Sequence, residues 1–135
     1  MKTISAKSGE YPEIIGKVLS DDERVKYAVL FGSALTQLRA GSDIDILVGG
    51  DLDFDTRMEL AAKLALALKR NVDLVPAGGA RPGVVLKALS KGVPVLIRDA
   101  EALKRDYLKN FCLFDDATNL RQLKLSRIKK QYARG

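Results

Sequence analysis

Apolar residues recur along this chain with two different periods, and the periods predict alternating helices and strands. Spacings of three or four, typical of one helix face, predict helices at residues 11–20, 54–70 and 84–91 and from residue 99 onward. Runs rich in β-branched and aromatic residues predict strands at residues 25–31, 44–48, 71–75 and 93–98. A short helix is also predicted at residues 33–39. This alternation favours an α/β (α+β) fold in which helices flank a small sheet.

Two apolar groups are expected to lie in the interior. The first is the stripe of the strongest predicted helix, which comprises Met58, Leu60, Ala61, Leu64, Ala65 and Leu68. The second surrounds Cys112, whose neighbours Phe111, Leu113 and Phe114 indicate a buried structural thiol rather than a reactive one.

Length and composition indicate one domain in a reducing compartment. The 135 residues are 47% hydrophobic, which is enough for one core. The single cysteine, Cys112, excludes an internal disulfide. No apolar stretch approaches the roughly 18 residues of a membrane helix, and the N-terminus lacks the apolar core of a secretory signal. We therefore expect a cytoplasmic protein with no membrane contact.

The positive charge is concentrated in one segment. Six of the 23 basic residues and none of the 17 acidic ones lie in residues 117–135, so the net charge of +6 belongs to this tail. We therefore divide the chain into a domain, residues 1–116, and a basic C-terminal helix or tail, residues 117–135. Clustered Lys and Arg bind phosphate backbones, so RNA contact stays open. Leu120, Leu123 and Ile128 recur at roughly helical spacing and fit a partner-binding or homodimer helix equally well.

Aspartates stand out on two of the predicted strands. Alternation along a strand places Asp43 and Asp45 on one face and Ile44 and Ile46 on the other. Carboxylates so close together repel each other, and a divalent cation relieves that repulsion. An all-oxygen set without histidine favours Mg²⁺ or Mn²⁺ over zinc. Asp73 lies between apolar neighbours on the next strand, and it joins the other two acids if that strand pairs beside them.

The pair Gly32-Ser33 lies where a strand ends and a helix is predicted to begin. Free backbone N–H groups at a helix start bind anions, and glycine lets a phosphate approach the main chain. Each feature alone has a simpler interpretation: Ser33 as a helix N-cap, and the acids as the solvated face of a sheet. In combination, a phosphate cradle followed by a carboxylate cluster predicts phosphoryl or nucleotidyl transfer.

The same residues carry a family resemblance. The chain has Gly-Ser, nine residues, Asp-Ile-Asp with apolar neighbours, and a further acid on a later strand. This pattern resembles the signature of the polymerase-β-type nucleotidyltransferases, in particular the minimal nucleotidyltransferases (MNT family) of prokaryotes. The likeness runs from about residue 25 to residue 75 and continues more weakly beyond. It implies the polymerase-β-like nucleotidyltransferase fold, with a small mixed β-sheet flanked by helices.

The resemblance also implies roles for individual residues. Gly32 and Ser33 match the positions that bind the triphosphate. Asp43 and Asp45 match the metal-holding acids, and Asp73 matches the acid that completes the catalytic metal site and helps to deprotonate the acceptor hydroxyl. One departure is that many relatives have Arg directly after Gly-Ser, where this chain has Ala34. Arg39 is a candidate to replace that arginine.

The partner is implied by the resemblance alone. Minimal transferases of this family are commonly paired with a small helical HEPN-type toxin, which implies an antitoxin that transfers AMP from ATP to a toxin hydroxyl, with tyrosine favoured. Two alternatives stay open. One is a binding module that neutralises its partner by contact without catalysis. The other is a transferase that acts on tRNA or on a small molecule such as an antibiotic.

Overall fold

The computed structural model describes residues 11–32 and 43–115, which contain four helices and four strands. The predicted helix at 33–39, Ser33 and the basic tail lie outside these residues. The elements, in chain order, are α1 (Tyr11–Ser20), β1 (Val25–Phe31), β2 (Ile44–Gly50), α2 (Phe54–Leu68), β3 (Val72–Pro76), α3 (Pro82–Lys91) and β4 (Val93–Ile97). Residues 100–115 then form α4.

The ends of α2 and α3 follow from local chemistry. Asp53 caps α2, because its Oδ1 atom accepts a hydrogen bond from the Thr56 N–H at 2.7 Å. The helix ends at Leu68 because Lys69 is in the left-handed conformation, with φ 56°. The prediction that it continues to residue 70 is therefore wrong. Helix α3 starts at Pro82, two residues earlier than predicted, since the first turn of a helix needs no proline N–H.

The sheet is mixed, as the resemblance implied. Its strand order is β3-β2-β1-β4. Strand β1 is antiparallel to both β2 and β4. Strands β2 and β3 are parallel and connected by α2, as a parallel pair requires. The expected fold class, a small mixed sheet flanked by helices, is confirmed.

Strand β2 is two residues longer than predicted. Gly49 and Gly50 were expected to end the strand, but they pair with Tyr27 and Val25 on β1. A Cβ atom at position 49 would overlap the Tyr27 ring. Glycine at this position therefore makes room for a buried aromatic side chain and does not break the strand.

Each face of the sheet has its own core. The α1/α2 face is wholly apolar, with buried side chains from both helices and all of the inner strands: Tyr11, Ile15, Leu19, Val25, Ala28, Leu30, Ile44, Ile46, Val48, Leu60, Ala61, Leu64, Leu68 and Leu74. The α3/α4 face has a smaller buried set: Tyr27, Val29, Leu47, Ala77, Val85, Ala88 and Ala102. Alternation along β2 assigns Leu47 and Asp45 to this second face.

Two sets of polar contacts hold the last strand and the last helix in place. The sequence pattern did not predict them. The Tyr27 hydroxyl donates a hydrogen bond of 2.6 Å to Asp106 Oδ2 on α4. Burial, and then this bond, raise the pKa of Tyr27. At the end of β4, the Arg98 guanidinium donates to the carbonyl oxygens of Ser20, Asp22 and Val25 at 2.6, 2.7 and 3.0 Å. The α1–β1 turn is thus tied to β4.

Two core expectations are wrong. Met58 is 42% exposed, because it lies at the margin of the α2 stripe that Leu60, Leu64 and Leu68 bury. Cys112 is exposed as well, together with Phe111 and the residues up to 115. The buried residues of α4 lie before this segment, so its last turn extends beyond the core. Among the described residues, no helix is long and apolar enough to span a membrane.

Candidate active site

The strand register brings the predicted acids to one place. Asp45 is aligned with Asp73 in the parallel β2–β3 pair and with Phe31 in the antiparallel β1–β2 pair. Residues paired across strands point to the same face of a sheet. Asp43 lies two residues before Asp45, directly before β2 begins. The expected pairing of the two acid-bearing strands is therefore confirmed.

The acids lie at the open end of the α3/α4 face. Asp45 precedes Leu47 on this face of β2, and only Leu47 reaches the core under α3 and α4. Asp45 is half-buried, whereas Asp43 and Asp73 are exposed. Chain topology explains the location. Strand β1 is antiparallel to β2, and β2 is parallel to β3, so the C-terminal end of β1 lies beside the N-terminal ends of β2 and β3. The structure thus forms a shallow, water-accessible acidic surface with its most buried carboxylate in the middle.

The electrostatics of this surface centre on Asp45. Burial raises the pKa of Asp45, and the neighbouring carboxylates of Asp73 and Asp43 raise it further. Among the described residues, no basic side chain forms an ion pair with any of the three acids. The negative charge is therefore not compensated by the described part of the chain, and a bound cation would favour the ionised form of Asp45.

Gly32 ends β1 directly against Asp45. Its φ is 85°, in the left-handed region that favours glycine. A Cβ atom here would lie 2.8 Å from Asp45 Oδ2. Any side chain at position 32 would thus displace the carboxylate that the sheet places in the middle of the site. The sequence predicted Gly32 as part of a phosphate cradle with Ser33, and Ser33 lies outside the described residues.

The three acids are the type of residue that binds a hard divalent cation. All three side chains offer carboxylate oxygens, the ligands that Mg²⁺ and Mn²⁺ prefer. As they are placed in residues 11–32 and 43–115, no three acidic, Cys or His side chains lie close enough together to hold one ion. Two of the three acids, Asp43 and Asp73, are exposed to solvent. The three acids are therefore grouped by the register of the strands and not by convergence of their side chains on one point.

One residue of the site was missed by the sequence prediction. Phe31 is paired with Asp45 and packs against the core of the α3/α4 face, so it lies beside the acids at the margin of that core. The alternation of Tyr27, Val29 and Phe31 along β1 was a usable signal for its face. The residue that lies beside Phe31 on the next strand depends on the strand order, and the alternation of side chains does not predict that order.

Comparison with known proteins identifies the family. A family model described as "Polymerase beta, Nucleotidyltransferase" matches residues 13–101, about two thirds of the chain. The matched region contains every described strand, Gly32 and all three acids. The chain belongs to this nucleotidyltransferase family, which confirms the resemblance inferred from the sequence.

Solved structures of toxin–antitoxin proteins are similar to nearly the whole chain. The crystal structure of the toxin–antitoxin MntA–HepT has 27% identity and a TM-score of 0.69, covering 89% of this chain and 97% of that one. A toxin–antitoxin structure with AMP-PNP has 31% identity and a TM-score of 0.70, covering 87% and 97%. A tri-AMPylated Shewanella oneidensis HEPN toxin in complex with an MNT antitoxin has 27% identity and a TM-score of 0.70, covering 90% and 98%. The curated proteins yield no significant match.

Proposed function

We propose that this chain is a metal-dependent protein adenylyltransferase that moves AMP from ATP to a hydroxyl of a HEPN-type toxin, and so acts as the antitoxin of a pair. The observation that carries the proposal is the alignment of Asp45 with Asp73 beside the glycine that ends β1. Nucleotidyl transfer needs a phosphate-binding turn next to clustered carboxylates, and this arrangement has the acids and the glycine of such a turn.

Similarity to toxin–antitoxin structures supports the donor and the acceptor. One similar structure contains AMP-PNP, an analogue of ATP, and another contains a toxin that carries AMP. The similarity covers 97% and 98% of those two proteins, so it extends over nearly their whole length. We place the reaction in the cytoplasm.

The aspartates would divide the work according to their positions. Asp43 and Asp45 would hold Mg²⁺ or Mn²⁺ together with Asp73, and the bound cation would neutralise charge on the triphosphate and on the reacting oxygens. Gly32 keeps space for the Asp45 carboxylate and, with Ser33, would bind phosphate oxygens through backbone N–H groups. Phe31 lies beside Asp45 on the same face and would form an apolar wall of the site.

In the proposed transfer, the acceptor hydroxyl loses its proton and gains the AMP group. The acceptor hydroxyl oxygen attacks the α-phosphorus of ATP in line with the leaving group. A bond forms between that oxygen and phosphorus, the bond from the α-phosphorus to the bridging oxygen breaks, and pyrophosphate leaves with the electron pair. The hydroxyl proton goes to the Asp73 carboxylate, which is exposed and therefore able to pass it to water.

Transfer of label tests the proposal directly. The purified protein is incubated with α-labelled or γ-labelled ATP, Mg²⁺ and the protein encoded by the adjacent gene. We expect label from the α position only, and none with Asp45→Ala. Asp51→Ala is the matched control, since Asp51 is an exposed acid at the opposite end of β2. The control should transfer label at the wild-type rate.

Other outcomes would support the alternatives. Tight partner binding that survives Asp45→Ala, with no transfer from any NTP, would replace the enzyme by a binding module that neutralises its partner by contact. Label on the 3′ end of tRNA, or on a small molecule, would keep the chemistry and change the acceptor. Binding of a second copy or of RNA through residues 117–135 is measured separately, with a chain that ends at residue 116.

A further inference from the structure

The outer edge of β3 lies directly beside the acids. In the strand order β3-β2-β1-β4, β3 has a partner on one side, and no other described strand pairs with its outer side. Asp73 is the second residue of this five-residue strand. A molecule that approaches the acids over this edge therefore meets the backbone of β3 first.

The hydrogen bonds between β2 and β3 show which backbone groups of β3 face outward. Ile44 N–H donates to the Asn71 carbonyl at 2.9 Å, and Ala77 N–H donates to the Val48 carbonyl at 2.9 Å. Bonding residues alternate along a parallel strand, so Asp73 and Val75 also face β2. The N–H and C=O groups of Val72 and Leu74 consequently point away from the sheet.

Pro76 is consistent with this orientation. It is the third residue whose backbone faces outward, and it has no N–H group to leave unpaired. Proline is tolerated in strands at such edge positions. It also stops a partner strand from extending past it with a regular ladder. The Pro76 carbonyl already accepts hydrogen bonds from the N–H groups of Gly79 and Ala80, at 3.2 and 3.1 Å. The edge therefore offers two donors and two carbonyl acceptors, those of Val72 and Leu74, over a short length.

We propose that the outer edge of β3 binds the acceptor as an extended polypeptide segment and that this pairing positions its hydroxyl side chain opposite Asp73. This inference rests on the proposed function and adds the form in which the acceptor is bound. A residue paired opposite Asp73 projects to the same face as Asp73 and Asp45. Main-chain hydrogen bonds would supply affinity with little dependence on sequence, as in other cases of strand addition.

A proline substitution separates this role from folding. Val72→Pro removes the outward N–H of Val72, which the domain's own ladder does not use, while Val72→Ala keeps that N–H and removes most of the side chain. We expect Val72→Pro to lower kcat/KM for the protein acceptor about tenfold and to leave KM for ATP unchanged. We expect Val72→Ala to change both by less than about twofold.

Hydrogen exchange on the wild-type protein gives a second readout that needs no variant and no chemistry. Addition of the partner protein should slow exchange at the amides of Val72 and Leu74 about tenfold or more. The amides of Asp73 and Val75 are already bonded to β2 and should change little. Protection at alternate residues is the signature of a strand added at this edge.

The outcomes distinguish this inference from the proposed function. Equal acceptor kinetics for the proline and alanine variants, with no new protection at Val72 and Leu74, would overturn edge pairing while transfer by the wild type stands. Label on RNA, or on a hydroxyl in a segment that stays helical in the complex, would overturn it too. Absence of transfer by the wild type would refute the proposed function, and exchange would still decide whether the partner pairs with β3.

Discussion

The two faces of the sheet differ in what they bury. On the α1/α2 face every inner position is apolar, and buried side chains of both helices fill it. On the α3/α4 face the buried set is smaller, and at one end it gives way to Asp45 and Asp73. The same strands build both faces, so alternation places a large apolar core on one side of four short strands and a smaller core with an acidic surface on the other.

This difference indicates how the domain separates stability from chemistry. The burial of apolar area on the α1/α2 face does not depend on any acid. The acids in turn repel one another without disturbing that core, since their side chains project to the other side. Substitutions on the two faces should therefore have opposite consequences, and the following predictions test that expectation from the largest effect to the smallest.

The largest effect should follow the loss of charge at Asp45. Asp45→Asn keeps the size of the side chain and removes the carboxylate from the middle of the cluster. We expect transfer to fall at least about 1,000-fold, measured as kcat/KM with α-labelled ATP. Asp51→Asn, at the other end of the same strand, should transfer at the wild-type rate. Comparable losses for both variants would contradict a site at this end of β2.

The next effect should be on stability alone. Leu64 is fully buried on the α1/α2 face, and Leu64→Ala should lower the free energy of unfolding by about 3 kcal/mol because it leaves a cavity. Urea titration measures that loss, and kcat at a temperature where the variant is folded should stay near the wild-type value. The exposed Leu66→Ala is the matched control and should change stability little. A large fall in kcat for folded Leu64→Ala would show that the two faces are coupled.

A smaller effect should come from the contact that joins α4 to the sheet. Tyr27→Phe removes the hydrogen bond to Asp106 and keeps the buried ring in place. We expect a loss of about 1 kcal/mol in the free energy of unfolding. Asp106→Asn, which still accepts a hydrogen bond, should lose less. Equal losses for the two variants would assign the effect to the charge of Asp106 rather than to the bond.

The smallest effect concerns the stability cost of the acidic cluster. The pKa of Asp45 is raised in the folded state, so its ionised form destabilises the domain at pH above that pKa, and the cost disappears as the pH falls and Asp45 is protonated. Without divalent cations, the free energy of unfolding of Asp45→Asn near pH 7 should therefore exceed that of the wild type by about 0.5 kcal/mol for this half-exposed group, and its melting temperature should be higher. The two melting curves should converge near pH 3. A difference that is independent of pH would refute this cause.

Much of the fold could be predicted because its signals are local. The apolar period and the flanking charges give α1 and β1 their observed bounds. Strand-bound acids with apolar neighbours indicated Asp43, Asp45 and Asp73 as a group. Both signals depend only on side chains a few residues apart, which is the range over which a sequence pattern is informative.

The rest depended on contacts between distant residues. The order β3-β2-β1-β4 puts Asp45 between Phe31 and Asp73, and no local pattern specifies that order. Gly49 resembles a strand end until the Tyr27 ring opposite it is known. Cys112 has apolar neighbours in sequence and yet lies beyond the core, because helical spacing does not say where the sheet under the helix ends.

The central position of β1 has a consequence for synthesis of the chain. One edge of β1 pairs with β2, which follows it closely, but the other pairs with β4, which begins about 60 residues after β1 ends. At roughly 5–20 residues per second, a ribosome needs on the order of 3–12 s to make that stretch. Until β4 has been made, the edge of β1 that it will cover has no partner strand, and an exposed apolar strand edge is a hazard for aggregation. Termination of synthesis before residue 93 would therefore release a chain in which one edge of β1 lacks its partner strand.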